Sequence, residues 1–317
     1  MNIRHLLFKY TNMIILAVFV LTAALLIPDF FTLRNVLNVV RQMSVLGMLA
    51  LGMSFVVLAG SMDLSVGAVM TFTGLIAISF QDMMPAGPSI SAALLAGVLI
   101  GLINGLIVVL TKANSGESLM ITLGTQMILM AASLVYTKGF ALNGSSSAFY
   151  NSIGTGMLWK IIPVPVAILG CMALGLSLLE NKTRLGRSIH MTGYNSEACR
   201  LSGINTGKIK IFCYGISGFM AACAAIILSS RTLGATPTAG TGYEMDAIVA
   251  IVMGGTSLSG GVGSIGKTLI GILTLGVLGN TMNLLGFQAS DQMLVKGAVL
   301  IFAVFADVWN RKQLVKA

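Results

Sequence analysis

The chain has 317 residues, of which 56% are hydrophobic and 9% charged, with a formal net charge of +9 and a mean hydropathy of +0.92. Soluble domains carry roughly 25% charged residues, so this composition excludes a body clothed in water-compatible surface and makes lipid part of the solvent. The positive charge invites a nucleic-acid reading, which its distribution along the chain argues against.

A bilayer core takes about 20 mostly apolar residues per helical crossing. Runs free of Asp, Glu, Lys and Arg occupy 10–28, 42–62, 64–81, 83–111, 118–137, 161–179, 211–230, 247–266 and 268–290, and a further run, 291–308, is broken by Lys296 before Asp307. These predict an all-α polytopic membrane protein with about ten transmembrane helices, since only helices and closed barrels satisfy backbone groups in lipid and the runs lack strand alternation. The eighth run, 247–266, is the weakest, because its second half is rich in Gly and Ser. With the N-terminus placed in the cytoplasm, 13 of the 19 basic residues fall on the inner side, which is the asymmetry of the positive-inside rule. Both termini are then cytoplasmic. Arg4 and Lys9 before the apolar run 13–27 resemble a signal peptide, but no A-x-A site follows, and an uncleaved first helix is expected. No soluble domain fits, so residues 1–317 read as a single transmembrane domain.

Taken in chain order, Asp63 interrupts an uncharged stretch in LAGSMDLSVGA. A carboxylate between two crossings needs water, an internal partner or a helix N-terminus. Asp63 and Ser65 are therefore read as caps of the next helix, after a break at Gly60 and Ser61. Gly97, Gly101 and Gly105 recur every four residues and share a helix face, which lets another helix approach closely. Asn104 beside them can bond a neighbour or line a polar path. Segment 138–160 reads as a flexible outer loop ended by Pro163 and Pro165.

The inner segment 181–210 contains NSEACRLSG, which carries the marks of a short helix. Asn195 or Ser196 can cap it, Glu197 suits the first turn, Arg200 lies late, and Gly203 suits the left-handed position after the end. Ala198 and Leu201 form a small apolar knob. It either docks on a partner or packs on its own transmembrane ends. Glu244 and Asp246 read as first-turn acids of the following segment, and Lys296 as snorkelling or pairing with Asp291. GVGSIGKT, 261–268, matches the P-loop pattern by letter but lacks the preceding strand and surrounding sheet that such a loop requires, so it reads as a turn. No metal cluster, nucleophile with its base or paired catalytic carboxylates stand out. His5 and His190 both lie outside the crossings, and the four cysteines, Cys171, Cys199, Cys213 and Cys223, read as small packing groups.

Five stretches, LAGSMDLSVGA, GLINGLIV, TRLGRSIHMTGYNSEACRLSGI, GYEMDAIVAIVMGGTSLSGGVGSIGKTLIG and LLGFQASDQMLVKGAVLIFAV, closely resemble the ribose/xylose/arabinose/galactoside class of ABC-transporter permeases, which includes the autoinducer-2 permeases. The likeness runs over nearly the whole chain. It implies a permease subunit, not an enzyme, in the bacterial cytoplasmic (inner) membrane. It also implies an importer that translocates a monosaccharide or similar small polar solute by alternating access. The implied partners are an ABC ATPase, an extracytoplasmic solute-binding protein, a second permease copy or sister permease and the lipid bilayer, with no nucleic acid. No cofactor is expected on this chain, ATP being used by the partner ATPase. Residues Ser196, Glu197, Ala198, Arg200, Leu201, Ser202, Gly203 and Ile204 would form the coupling helix seated on that ATPase. Asp63, Ser65, Asn104 and Thr122 are the polar groups expected nearest the translocation path. A stand-alone secondary carrier or channel is the alternative. The chain departs from the class at NSGESLMITLG, where Glu117 and Ser118 replace a Pro-Pro-Phe-like stretch, and at Lys267, which replaces a glycine.

Overall fold

The computed structural model describes residues 3–144 and 147–316. The side chains of Arg4, His5, Lys9, Asp307, Arg311, Lys312 and Lys316, which enter the charge placement above, lie outside what it describes. Thirteen α-helices follow one another among the described residues: α1 (Ile3–Leu26), α2 (Leu33–Leu58), α3 (Val66–Ser79), α4 (Ala86–Leu110), α5 (Ser115–Thr137), α6 (Ala148–Thr155), α7 (Val164–Lys182), α8 (Arg184–Tyr194), α9 (Ser196–Leu201), α10 (Thr206–Thr232), α11 (Tyr243–Met253), α12 (Ile265–Leu284) and α13 (Ala289–Lys316). Four two-residue strands complete it: β1 (Leu142–Asn143), β2 (Met157–Leu158), β3 (Ile162–Pro163) and β4 (Gly234–Ala235). β1 pairs antiparallel with β4, and β2 with β3.

Among the described residues six helices, α2, α4, α5, α7, α10 and α12, are long and apolar enough to cross a membrane. α2 is the mast of the fold. Every residue from Met43 to Leu58 is buried, with α10, α12, α11 and α7 packed around it. A helix apolar on all sides is stable only inside such a bundle. α4, α5 and α7 instead keep broad exposed faces, with Leu95, Leu99, Met127, Val135 and Leu174 pointing outward, as lipid-facing helices do.

Helix ends are set by local chemistry. Thr32 caps α2 through the Asn35 amide, so that helix starts ahead of the uncharged run at 42 and contains Arg34 and Arg41. Asn114 and Glu117 form a reciprocal capping box on α5, which gives one of the sequence's departures a structural use. Pro165 stands in the first turn of α7, after Pro163 at its cap.

Three expectations need correction. The segment 247–266 is not one crossing helix: α11 ends at Met253, and Gly254 to Ser264 turn back to α12. Eleven residues of helix rise only about 16 Å. The cause is Gly255, whose φ of +86° breaks the helix. The segment 138–160 is not simply a loop: Ser147 caps α6, and Tyr150, fully buried, holds it against α10 through a 2.6 Å bond to Ser229. The Ser65 side chain makes no cap bond to α3. It turns instead toward Asp63 and α4.

Candidate functional site

The α2–α3 break is a buried polar knot. Helix α2 ends at Leu58, Gly60 takes φ +76°, and residues 61–65 cross to α3 without regular backbone pairing. Such a segment inside an apolar body must find donors and acceptors elsewhere. Asp63 Oδ1 accepts from the Ser65 amide at 3.0 Å and the Ser65 hydroxyl at 2.6 Å, and its Oδ2 accepts from Ser217 of α10 at 2.8 Å. Asn104 of α4 donates to Ser65 Oγ at 2.9 Å, and Thr125 of α5 donates to Asn104 Oδ1 at 2.7 Å. The Met62 amide donates to Ser118, the Leu64 amide to Thr122, and the Tyr214 hydroxyl to the Met62 carbonyl.

Asp63, Ser65, Asn104 and Thr122, singled out from sequence as path residues, are thus brought together. Each is at most 3% exposed, so in this chain they form a buried clasp joining α3, α4, α5 and α10. Sequence reasoning missed Ser118, Thr125, Tyr214 and Ser217. Ser118 carried a signal, because it stands where the chain leaves the class pattern.

Gly97, Gly101 and Gly105 lie along the α4–α10 seam. A β-carbon on Gly97 would stand 2.7 Å from Ala222 Cβ, and one on Gly105 would stand 2.8 Å from Ile211 Cα. The two helices meet backbone to backbone there.

A second junction ties α8 to the body. The Gly261 amide donates to the Leu58 carbonyl at 3.0 Å. Gly193, near the end of α8, packs against both of these residues, and a β-carbon on Gly260 would stand 2.7 Å from Gly60 Cα. Beside it, Glu180 at the end of α7 is 4% exposed. Its Oε2 accepts from the Ile265 amide at the start of α12, and its Oε1 lies 3.1 Å from His190 Nε2. The other ring nitrogen, Nδ1, is 3.0 Å from the Gly261 carbonyl and can only donate to it. The bond to Glu180, followed by that to Gly261, lifts the His190 pKa above its ordinary value, against the effect of partial burial. Both residues escaped the sequence reading, since nothing in the spacing of 180 and 190 announces a contact with 261 and 265.

Helix α9 follows directly. Asn195 caps it through the Ala198 amide at 2.9 Å, and Gly203 takes φ +81° beyond its end. Cys199 faces inward at 4% exposure while Leu201 stands 79% exposed. Glu197 and Arg200 form a bidentate pair on the surface, which lowers the Glu197 pKa. Residues 261–264 lead straight into α12, Ser264 capping it through the Lys267 amide, and no strand precedes them.

The opposite end of the bundle is organised by α11. Lys296 of α13 pairs with Asp246 of α11 at 2.7 Å, not with Asp291, which instead accepts from the Gln288 amide. Glu244, expected only to favour the helix dipole, is 6% exposed and also accepts from Gln126 of α5 at 3.1 Å. An open cavity of about 380 Å³ lies between α3, α10 and the β1–β4 pair, and a smaller one of about 70 Å³ between α2, α11, α12 and α13.

A many-helix membrane body with a buried clasp at a broken helix pair and an exposed short helix anchored through glycines has the architecture of a transport permease. Residues 35–304 match the family described as branched-chain amino acid transport system / permease component, and the chain belongs to that family. It is 41% identical over 311 residues to the ribose import permease protein of Escherichia coli K12, covering 97% of this chain and 95% of that one. It is 38% identical over 297 residues to the ribose import permease protein of Bacillus subtilis 168, covering 92% and 90%. It is 32% identical over 295 residues to the L-arabinose ABC transporter permease protein of Azospirillum brasilense, covering 92% and 85%. These relatives are sugar-import permeases by name, and this chain, of the same permease family, is a multi-pass protein of the bacterial inner membrane with helices suited to crossing it.

Proposed function

We propose that this chain is the membrane-spanning subunit of an ATP-binding-cassette importer that moves a monosaccharide, ribose or a close relative, inward by alternating access. Ten helices, α1 to α5, α7 and α10 to α13, are the crossings, α3 and α11 being short ones, and both termini lie in the cytoplasm. The α8–α9 end then faces the cytoplasm, and the 380 Å³ cavity faces outward. Two permeases, this chain with a second copy or a sister, surround the path. A separate ATPase binds and hydrolyses ATP, and an extracytoplasmic binding protein delivers the solute.

One observation carries the coupling role. Leu201 is 79% exposed on a helix whose own charges, Glu197 and Arg200, already satisfy each other. Immediately before that helix, α8 is locked by Gly193 against Leu58 and Gly261. A push on α9 would reach the ends of α2, α7 and α12 together through Gly193, Glu180 and His190. Because the carbonyls and carboxylate there are all engaged, a displacement of α9 would move the junction as one unit, and a small shift at such a rigid contact can become a helix motion.

Co-purification of the permease with its ATPase tests this. Leu201→Asp and Glu197→Lys are expected to abolish the association while membrane insertion and melting temperature stay unchanged. Normal recovery of the ATPase with both variants would contradict the assignment.

A further inference from the structure

We propose that the cavity beneath the β1–β4 pair is a binding site for an uncharged, polyhydroxylated molecule of monosaccharide size. It rests on the reading of the chain as a sugar permease and adds to it a place for the solute and a rule for which solutes fit. At about 380 Å³ the cavity lies within the range of about 300–1,000 Å³ typical of small-molecule sites. The side chains of the clasp around Asp63, by contrast, are buried.

Its lining selects by chemistry. Six polar side chains, Thr71, Asn143, Ser229, Thr232, Thr236 and Tyr243, border it, and none of its lining residues carries a charge. A phosphate, carboxylate or ammonium group entering such a site would lose hydration with no partner in return. Sugar phosphates and zwitterionic amino acids are therefore excluded, although the family description names amino acids.

Hydroxyl groups are matched. Thr232 donates to the carbonyls of Leu228 and Gly234, which orients its oxygen and leaves its lone pairs for a solute O–H, whereas Thr71 and Ser229 are held by Gly67 and the Gly240 amide, and by Ala225 and Tyr150, and shape the wall. Asn143, Thr236 and Tyr243 use none of their side-chain hydrogen-bonding capacity on other described residues. Tyr243 also offers a ring face to the apolar C–H face of a sugar. On the α3 wall, Gly74 leaves the space open: a β-carbon there would meet only ordinary contacts, 3.7 Å from Ala225 Cβ.

Saturation-transfer NMR on the full-length protein in detergent tests the site, with D-ribose, ribose 5-phosphate and L-leucine as probes. Wild-type protein is expected to transfer saturation to D-ribose and not to the two charged probes. Gly74→Leu, which projects a side chain into the cavity, should lose the ribose signal, and Gly74→Ala should keep it. The rim variant Asn143→Ala/Thr236→Val, whose side chains hold nothing else in the fold, should weaken the signal with an unchanged melting temperature. A ribose signal that survives both Gly74→Leu and the rim variant overturns the site, and equal signals from the charged probes overturn the selection rule. ATP-driven ribose uptake by the assembled importer separates the two levels. Uptake by wild type without binding here would sink the site alone, whereas no ATP-driven uptake of any neutral monosaccharide would sink the importer reading beneath it.

Discussion

Gly193 lies against the Leu58 carbonyl so closely that a β-carbon on the glycine has no room beside the oxygen. This contact, at the end of α8 and the end of α2, joins the exposed α8–α9 segment to the most buried helix of the fold. Gly193→Ala is expected to force the two backbones apart and to destabilise the protein by about 1–3 kcal/mol, with loss of coupled transport at temperatures where the fold persists. Gly175→Ala, at a position with nothing within 4 Å, should be neutral or slightly stabilising. Thermal unfolding of both variants checks this, and equal melting temperatures would show that the contact is not strained by a methyl group.

The His190–Glu180 contact predicts a pH dependence. The folded-state pKa of His190 is raised, by Glu180 first and the Gly261 carbonyl second, so the bond favours the protonated ring. Its contribution is fully present below the ordinary histidine pKa of about 6.5 and is lost as pH rises through the raised folded value. Wild-type protein should therefore lose stability through this site on going from pH 6 to pH 9. His190→Gln, whose amide nitrogen takes the place of Nε2, keeps a donor for Glu180 but cannot titrate, and should flatten that part of the profile. Identical pH profiles for the two proteins would remove the pair from the account.

Asp63 gathers the Ser65 amide, the Ser65 hydroxyl and the Ser217 hydroxyl onto one carboxylate. Asp63→Ala leaves the buried Ser65 amide without its acceptor and is expected to cost about 1–3 kcal/mol. Ser217→Ala removes a single donor and should cost less. Denaturation of the purified variants measures the difference, and a milder effect for Asp63→Ala than for Ser217→Ala would mean that the clasp is held by something other than the carboxylate.

What was legible in the sequence was local or periodic. Asn195 and Gly203 bracket α9 because capping acts within a few residues, and Gly97, Gly101 and Gly105 reveal the α4 seam because helical period puts them on one face. The partner of Lys296 was not legible. Asp291 is near in sequence but occupied by Gln288 N, while Asp246 comes from another helix. α6 was hidden because its polar, Gly- and Ser-rich surroundings resemble a loop, and only the burial of Tyr150 in tertiary contact with Ser229 makes it a helix. α11 was overestimated because charge-free composition continues through Gly254 and Gly255, where the backbone does not. The four expected path residues were recognised as a group of intramembrane polar side chains, but their burial as a clasp depends on Ser217 and Tyr214 from α10, which no spacing connects to them.

Proteoliposomes holding this permease with its ATPase and binding protein give the most direct test of motor-driven transport through α9. Radiolabelled D-ribose should accumulate only when ATP is supplied on the α9 side, and Leu201→Asp should bring uptake to background. Equal uptake without ATP, or by the permease alone, would contradict the account and favour a stand-alone carrier.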